Sequence, residues 1–255
     1  MPAFIYEKKG RIAYLTINRP ETRNAMNREV WDGLVKAWKD VGDNPDIWAA
    51  IVTATGDKAF SSGQDLKEMA EWMAIPEDKR PPMPLPEVNP MRGMQVWKPF
   101  IAAINGLCIG GGLELAMACD LRVASETARI GDWHIRIGVI GGAGATTRLP
   151  RIVGVAKAKE LIFTGEALDG KEACRIGLVN QVFPVEKYLD GAMELAKKIA
   201  AFKPVTLRKA KESINMGLSM DVHQSLHFSD RCAAEVRAAL GADAGRKAFA
   251  ERKQT

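Results

Sequence analysis

Cysteine is scarce in this sequence, and its spacing does not predict a disulfide framework or a metal centre. Only four cysteines occur in 255 residues, and no two of them form a Cys-x-x-Cys pair. Their neighbours are apolar or small, which is typical of buried, reduced thiols. We therefore expect free thiols in a cytoplasmic protein whose core needs neither disulfides nor metals.

The sequence also lacks a long uninterrupted apolar run. Its most apolar window, residues 100–119, is broken by glycines, by Asn105 and by Glu114. A membrane span needs about 20 consecutive, mostly apolar residues. The first ten residues, MPAFIYEKKG, have no long apolar segment of the kind found in signal peptides. No membrane partner is therefore expected.

A concentrated basic segment is absent as well. The net charge is +5, with a pI near 9.0, but no run of five or six basic residues occurs. A thin positive excess suits a small anionic ligand at least as well as nucleic acid. With no nucleic-acid-binding motif present, we expect no nucleic-acid partner.

What the chain does contain is an alternation of strand and helix patterns over its first two thirds. Asn27 is the predicted N-cap of the first helix, ahead of apolar residues at helical spacing. The predicted strands are a pair within 3–18 around Lys9-Gly10, then 49–54, 100–105 and 121–124. Beyond residue 155 the predicted elements are mainly helices, at 155–163, 170–175, 185–201, 204–216 and 219–239. This order predicts an α/β fold with a parallel-type sheet.

Four segments between these elements are predicted as loops. Residues 59–66 contain too much Ser and Gly for a strand interior, and 106–112 form a glycine-rich turn before a helix at 113–118. Residues 76–90 contain six prolines, and a loop of this length is often a functional lid. Residues 130–144 are also predicted to be mainly loop.

The glycine-rich turn is the most informative segment, within IAAINGLCIGGGLELAMACD (101–120). Three consecutive glycines at 110–112 indicate unusual backbone angles or close approach of a ligand. The free N–H groups of the following helix favour negative charge, and Glu114 lies in its first turn. Neither G-x-G-x-x-G nor GxxxxGK[ST] is present, so the turn suits an oxyanion better than a pyrophosphate. The alternative is a packing turn with a dipole-stabilising glutamate.

A second loop, AFSSGQDLKEM (59–69), has a similar character. Gly63 and Gln64 stand at a loop-to-helix junction, where a backbone N–H is exposed. Two such donors from different loops, converging on one carbonyl oxygen, form an oxyanion hole. Taken alone, this loop is better explained as a surface turn.

Together these two segments resemble the signature segments of the crotonase (enoyl-CoA hydratase/isomerase) superfamily. The resemblance covers nearly the whole chain, because further segments match in the same order. They are RPETRNAMN (19–27), GAGATTRLPRIVGVAKAKELIFTGE (142–166), EACRIGLVNQVFP (172–184) and AFAERK (248–253).

The resemblance implies a fold, an assembly and a substrate class. The fold is a ββα superhelix, or spiral, whose core with the active site would span 1–200. Residues 201–255 would form a helical C-terminal region that builds trimers, often paired into hexamers. The substrate would be an acyl-CoA thioester, so coenzyme A enters with the substrate and no metal or redox cofactor is implied.

Site residues follow from the resemblance position by position. The backbone N–H groups of Gln64 and Gly111 would be the oxyanion donors, and Glu114 matches the first of the two catalytic glutamates of the hydratases. The remaining residues implied in substrate and CoA binding are Ala25, Asp65, Leu66, Lys67, Phe249 and Arg252.

One position departs from the family pattern. The second catalytic glutamate of the hydratases falls on His134, with Asp132 two residues earlier and Trp133 between them. Histidine is a competent acid or base near neutral pH, so a Glu114/His134 pair is chemically able to move the protons. Trp133 indicates a bulky wall of the acyl pocket. The alternative is a structural histidine in a loop.

The predicted activity is an acyl-CoA lyase that reversibly hydrates a 2,3-enoyl-CoA, including one with a bulky or cyclic acyl group. Two alternatives share the fold: an enoyl-CoA isomerase and a ring-cleaving acyl-CoA hydrolase. A third is a non-catalytic acyl-CoA-binding protein that has lost its second acid. Product mass distinguishes the hydratase from the isomerase, and the absence of turnover identifies the binding protein.

Overall fold

The computed structural model describes residues 1–241 and residue 243. Phe249 and Arg252, which the resemblance places over the bound CoA, lie outside the described residues. Within the described part, ten strands form two sheets, and nine α-helices surround them.

The larger sheet has six strands in the order β1-β2-β3-β5-β7-β10. They are β1 (Phe4–Lys9), β2 (Ile12–Ile17), β3 (Ala49–Ala54), β5 (Phe100–Ile104), β7 (Leu121–Ser125) and β10 (Gln181–Phe183). The first two form an antiparallel hairpin around Lys9-Gly10, as predicted, and all later neighbours pair in parallel.

The smaller sheet has four strands in the order β4-β6-β8-β9. They are β4 (Ala59–Ser61), β6 (Leu107–Ile109), β8 (Arg129–Gly131) and β9 (Ala167–Asp169). The first three are parallel, and each follows a strand of the larger sheet along the chain. A helix after β4 and another after β6 complete successive turns, so the predicted ββα spiral is confirmed.

The helices of the described part lie between and after these strands. They are α1 (Arg28–Asp43), α2 (Leu66–Ala74), α3 (Gly111–Ala118), α4 (Ala145–Val153), α5 (Val155–Thr164), α6 (Gly170–Arg175), α7 (Tyr188–Ile199), α8 (Pro204–Gly217) and α9 (Val222–Leu240). Each of them is too short or too polar to cross a membrane.

Both faces of the larger sheet are buried, which explains the apolar runs of its central strands. On one face, Ile51 and Ile101 pack in a cluster with Ala192 and Ala196 of α7. On the other face lies the main core, where the rings of Trp38 and Phe100 stack with centroids 3.7 Å apart. Every residue of β3 is buried, as its unbroken apolar sequence predicted.

Two predicted loops each contain a short strand. Residues 59–66 begin with β4, and the glycine-rich turn 106–112 contains β6. Ser61 is fully buried at the end of β4, where its hydroxyl accepts a hydrogen bond of 3.1 Å from the N–H of Gly63. Each strand is only three residues long, so pairing with neighbours, rather than local propensity, decides its conformation.

Four elements in the second half were also not predicted, and one of them, β8, overlaps the start of the segment 130–144 that was expected to be mainly loop. Helix α4 contains Pro150, which lowers the helical signal of its sequence. Strands β9 and β10 interrupt a region that is otherwise mainly helical, as expected. The segment 76–90 is irregular apart from a short 3-10 turn at Glu77–Lys79, and its role as a lid stays a prediction.

Helix starts follow the predicted capping chemistry. The side chain of Asn27 accepts a hydrogen bond of 3.1 Å from the N–H of Val30, which confirms the predicted N-cap.

All four cysteines are free thiols, and Cys108, Cys119 and Cys232 are buried.

Asn24 offers a test of how the turn before α1 is held. It is buried with φ +55°; its side chain accepts from the N–H of Arg19 at 2.9 Å and donates to the carbonyls of Thr55 and Ala59 at 3.0 and 2.6 Å. We expect Asn24→Ala to lower the free energy of unfolding by about 3 kcal/mol, because it leaves buried polar groups unpaired.

Asn24→Gly is the matched control, since it removes the same hydrogen bonds but accepts positive φ freely. Its loss in urea denaturation should be smaller than that of Asn24→Ala by about 1 kcal/mol. Equal losses would show that the backbone conformation at this position is not strained.

Candidate active site

Three loops meet at one edge of the smaller sheet, because the carboxyl ends of parallel strands lie on the same side. Gly63 and Gln64 follow β4, Gly111 begins α3 after β6, and Asp132 follows β8. The fold therefore brings together the glycine-rich turn, the second loop and the segment of His134, as the sequence predicted.

The first two loops touch through their backbones. Gly63 has φ +98°, and a Cβ atom on it would lie only 2.9 Å from the backbone nitrogen of Gly111. A Cβ on Gly111 would lie 3.4 Å from the nitrogen of Gln64. Neither the Gln64 nor the Gly111 N–H has a hydrogen-bond acceptor among the described residues. Two neighbouring backbone donors are thus available to a ligand oxygen.

The loop that carries Gln64 is held from the core side. The indole Nε1 of Trp31 donates a hydrogen bond of 2.8 Å to the side-chain Oε1 of Gln64. The N–H of Met26 donates to the carbonyl of Gly63 at 2.8 Å, and the N–H of Asp65 donates to the carbonyl of Met26 at 3.1 Å. These bonds fix the backbone on both sides of Gln64 and leave its own N–H free.

Glu114 is a buried carboxylate with a fixed orientation. Its side chain is in the first turn of α3, and its Oε1 accepts hydrogen bonds from the N–H groups of Ala143 and Ala145, at 2.8 and 3.0 Å. The other oxygen, Oε2, faces the Nε2 of His134 at 3.8 Å. One oxygen is thus committed to the protein, while the second is directed at the histidine.

His134 lies between two carboxylates. Its Nδ1 is hydrogen-bonded to Oδ1 of Asp132, which is 1% exposed, and its Nε2 faces Glu114. The hydrogen bond that His134 donates to Asp132 raises the pKa of His134 above its ordinary value of 6.5. Burial lowers that pKa, but the charges of Asp132 and Glu114 raise it further. The imidazolium form therefore persists to higher pH than in a free histidine.

An arginine supports the loop that holds Glu114. Arg148 is partly buried on α4 and donates hydrogen bonds of 2.7 Å to the carbonyls of Ala143 and Met91. It ties the start of α4 to the end of the proline-rich segment, and thereby holds the backbone N–H groups that bind Glu114.

Asp65 has a structural role beside its implied contact with substrate. Its Oδ1 caps α2 by accepting from the N–H groups of Lys67 and Glu68, and its Oδ2 pairs with Arg19 at 2.7 Å. Burial works to raise the pKa of Asp65, but Arg19 and the two N–H groups outweigh burial and lower it. Arg19 also donates to the carbonyl of Ala25, so one arginine links both implied CoA-binding segments.

Leu66 and Lys67 are exposed at the start of α2, whereas Ala25 is buried in the turn before α1. These positions leave the two side chains of α2 free to contact a ligand. Ala25 is hydrogen-bonded to its surroundings through its backbone.

Trp133 is partly buried beside His134, and the guanidinium of Arg136 lies over its ring at 4.5 Å. Its indole Nε1 is buried without a hydrogen-bond partner in the described part of the chain. The residues that follow form an exposed apolar strip, which we call the 135–140 strip. Its exposed apolar members are Ile135, Ile137, Val139 and Ile140.

The sequence left two features of this site unassigned. The bond between Asp132 and His134 was not predicted, although the Asp-x-His spacing was visible. The 135–140 strip was missed because its residues, IRIGVI, lie in a segment predicted only as loop. Periodicity signals neither feature, because residues 132–140 contain only one short 3-10 turn, at His134–Ile137, and are otherwise without helix or strand.

Comparisons with known proteins agree with this geometry. A family model described as enoyl-CoA hydratase/isomerase matches residues 7–255. The short-chain-enoyl-CoA hydratase of Clostridium acetobutylicum is 37% identical over 231 residues, which cover 91% of this chain and 88% of the relative. The (E)-benzylidenesuccinyl-CoA hydratase of Thauera aromatica is 36% identical over 252 residues, covering 97% and 95%.

A solved structure of an enoyl-CoA hydratase from Bacillus anthracis superposes with a TM-score of 0.87 at 33% identity. The superposition covers 98% of this chain and 96% of that structure.

Gly141 tests whether the close packing around Glu114 and His134 requires a glycine at this position. A Cβ atom there would lie 2.6 Å from Cβ of Ala145, 2.9 Å from Nδ1 of His134 and 3.0 Å from Oε1 of Glu114. We expect Gly141→Ala to lower the free energy of unfolding by about 1–3 kcal/mol, since overpacking forces these groups apart.

The neighbouring Gly142→Ala is the matched control, because a Cβ atom there would meet nothing within 4 Å. Its stability in the same urea titration should stay within about 0.5 kcal/mol of the parent protein. Equal behaviour of the two variants would contradict the close packing at Gly141.

Proposed function

Because the chain belongs to the enoyl-CoA hydratase/isomerase family, we propose that it is a hydro-lyase that adds water reversibly across the 2,3-double bond of an enoyl-CoA. One observation carries the proposal: Glu114 and His134 face each other at 3.8 Å beside two backbone N–H groups that have no acceptor within residues 1–241. An acid–base pair next to an oxyanion site is what the addition of water to a conjugated thioester requires.

The thioester oxygen would bind to the N–H groups of Gln64 and Gly111. Negative charge moves onto this oxygen when water attacks C3, because the double bond is conjugated to the thioester. Two fixed backbone donors stabilise that enolate, an effect typically worth about 3 kcal/mol for each donor. The rigid loop around Gln64 supports this role, since the donors need no rearrangement.

Glu114 and His134 would carry out the proton transfers. The free Oε2 of Glu114 is the oxygen that positions and deprotonates the attacking water, because Oε1 is held by Ala143 and Ala145. His134 shares the proton transfer to the substrate. Addition of water leaves the oxidation state of the substrate as a whole unchanged, so the reaction needs no redox cofactor.

Coenzyme A would lie along the segments that Arg19 links. Lys67 and Leu66 are exposed next to Gln64, and the backbone of Ala25 lies on the other side of the same arginine. The contribution of Phe249 and Arg252 stays a prediction from the resemblance.

The acyl group would be bulkier than a short straight chain. Trp133 directly before His134 and the 135–140 strip directly after it place aromatic and apolar side chains next to the histidine. The relative from Thauera aromatica is named for an aromatic acyl-CoA substrate, which supports the same choice.

The assembly would be a trimer or a pair of trimers. Helices α8 and α9 pack on each other, and the buried set of the described chain includes only Cys232 from them. Their exposed apolar residues include Ile214, Leu218, Val222 and Leu226. A second copy would cover this surface, with residues 1–200 as the catalytic core and 201–255 as the assembling region. We place the protein in the cytoplasm, which the four free thiols support.

Glu114→Gln tests the activity itself. The amide can still accept from Ala143 and Ala145, so the fold should persist while the base is lost. With enoyl-CoA esters of short, long and aromatic acyl groups, we expect kcat to fall by about 100- to 10,000-fold. The assay follows loss of enoyl absorbance, and product mass shows the added water.

A rearranged product of unchanged mass would replace the hydratase with an isomerase. Binding of every ester without turnover in the parent protein would instead identify an acyl-CoA-binding protein. His134→Ala in the same assay shows whether both members of the pair are needed.

Leu218→Glu tests the assembly. A charge on this exposed apolar surface should dissociate the oligomer, because it would otherwise be buried without a partner. Sedimentation velocity should show a shift from trimer or hexamer to monomer. Asn215→Glu, at an exposed polar position in the last turn of α8, three residues before Leu218, should leave the sedimentation coefficient unchanged.

A further inference from the structure

We propose that Asp132 is the positioning residue that makes His134 the proton donor of the pair and so leaves Glu114 as the base. This inference rests on the proposed function, but it assigns direction to the proton transfers, which the family resemblance does not do for a histidine at this position. It adds Asp132 to the residues needed for the reaction.

Hydrogen-bond geometry fixes which nitrogen acts. Oδ1 of Asp132 accepts from the Nδ1–H of His134 and, at 3.3 Å, from the backbone N–H of the same residue. A carboxylate on Nδ1 keeps a hydrogen there in both the neutral and the cationic ring. Nε2 is therefore the atom that gains and loses the proton, and it is the one that faces Glu114.

The charges around the imidazole ring of His134 favour its protonated state. Asp132 and Glu114 face it from two sides, and both raise the pKa of His134. The start of α3 opposes this effect, because a Cβ atom on Gly110 would lie 3.7 Å from Nε2 and helix starts repel cations. Arg148 lies beyond Glu114, with its guanidinium bound to backbone carbonyls.

Glu114 is the weaker candidate for the donor. Two backbone N–H groups bind its Oε1, so this oxygen already acts as a hydrogen-bond acceptor and only Oε2 is left to exchange a proton. A pair made of an imidazolium and a carboxylate has its donor and its acceptor already defined. A pair of two carboxyl groups has to share one proton between equal partners.

The proposed step balances in atoms and charge. A water proton moves to Oε2 of Glu114 as the water oxygen bonds to C3. The electrons of the C2–C3 π bond shift toward the thioester oxygen, held by Gln64 and Gly111. C2 then takes the proton from Nε2 of His134. Return of the proton from Glu114 to Nε2 resets both groups for the next turnover.

The first experiment measures the histidine directly. The chain has three histidines, and His223 and His227 are exposed on α9, so His223→Gln with His227→Gln leaves His134 as the only imidazole. NMR titration of the 15N-labelled ring should show a pKa above 6.5 and hydrogen on Nδ1 when the ring is neutral. Asp132→Asn in this background should lower that pKa and mix the tautomers.

The second experiment is the pH profile of hydration. A proton donor must be charged, so kcat should fall as pH rises through the pKa of His134. In Asp132→Asn this alkaline limb should move to lower pH, and kcat at its optimum should drop by about 100-fold. KM should change by less than threefold, because Asp132 does not touch substrate. Asp132→Glu should recover part of kcat and of the limb.

Asp120→Asn is the matched control. Asp120 also binds a backbone N–H, that of Phe100, and a cation, Lys211, but it lies away from the three site loops. Its substitution is expected to change stability without moving the alkaline limb. This control separates a purely structural effect of losing a paired aspartate from an effect on His134.

The outcomes distinguish the inference from the proposed function. If the parent protein hydrates enoyl-CoA but Asp132→Asn keeps its limb, tautomer and kcat, the role of Asp132 is wrong and the function stands. If the parent adds water to no ester, the proposed function fails. An Asp132→Asn titration identical to that of the parent then overturns the role of Asp132 as well.

Discussion

Parallel pairing of β4, β6 and β8 places every group of the proposed site. These strands are only three residues long, and each buries one side chain in the main core, namely Phe60, Cys108 and Ile130. Their carboxyl ends open onto one edge of the smaller sheet. Gln64, Gly111 and His134 come from distant parts of the chain and meet only through this pairing. A shift of one residue in any strand would turn its following loop away from the others.

Around that edge, backbone N–H groups are the main hydrogen-bond donors to negative charge. They hold Glu114 through Ala143 and Ala145, and the free N–H groups of Gln64 and Gly111 remain for substrate. Backbone donors are fixed by the fold, so they stabilise charge without reorganising. The acid–base chemistry, in contrast, depends on side chains, at His134 and at Asp132 beside it.

Local sequence signals succeeded where an element is long or fully buried. Strand β3 and the N-cap at Asn27 were predicted from composition and capping chemistry alone. They failed for β4, β6, β8, β9 and β10, because a three-residue strand has no periodicity of its own. Helix α4 was missed because Pro150 lowers the local helical signal. In the folded chain, packing still accommodates this proline within the helix.

By itself the sequence determined the α/β class, the resemblance that identifies the spiral, and the candidate residues Gln64, Gly111, Glu114 and His134. These follow from residue types at fixed spacing, which a chain carries before it folds. Only the tertiary structure decided that Asp132 binds Nδ1 and that Nε2 faces Glu114. The orientation of an imidazole depends on the partners around both nitrogens, and one of those partners, Glu114, lies on helix α3, too far from His134 in the sequence for local patterns to relate the two.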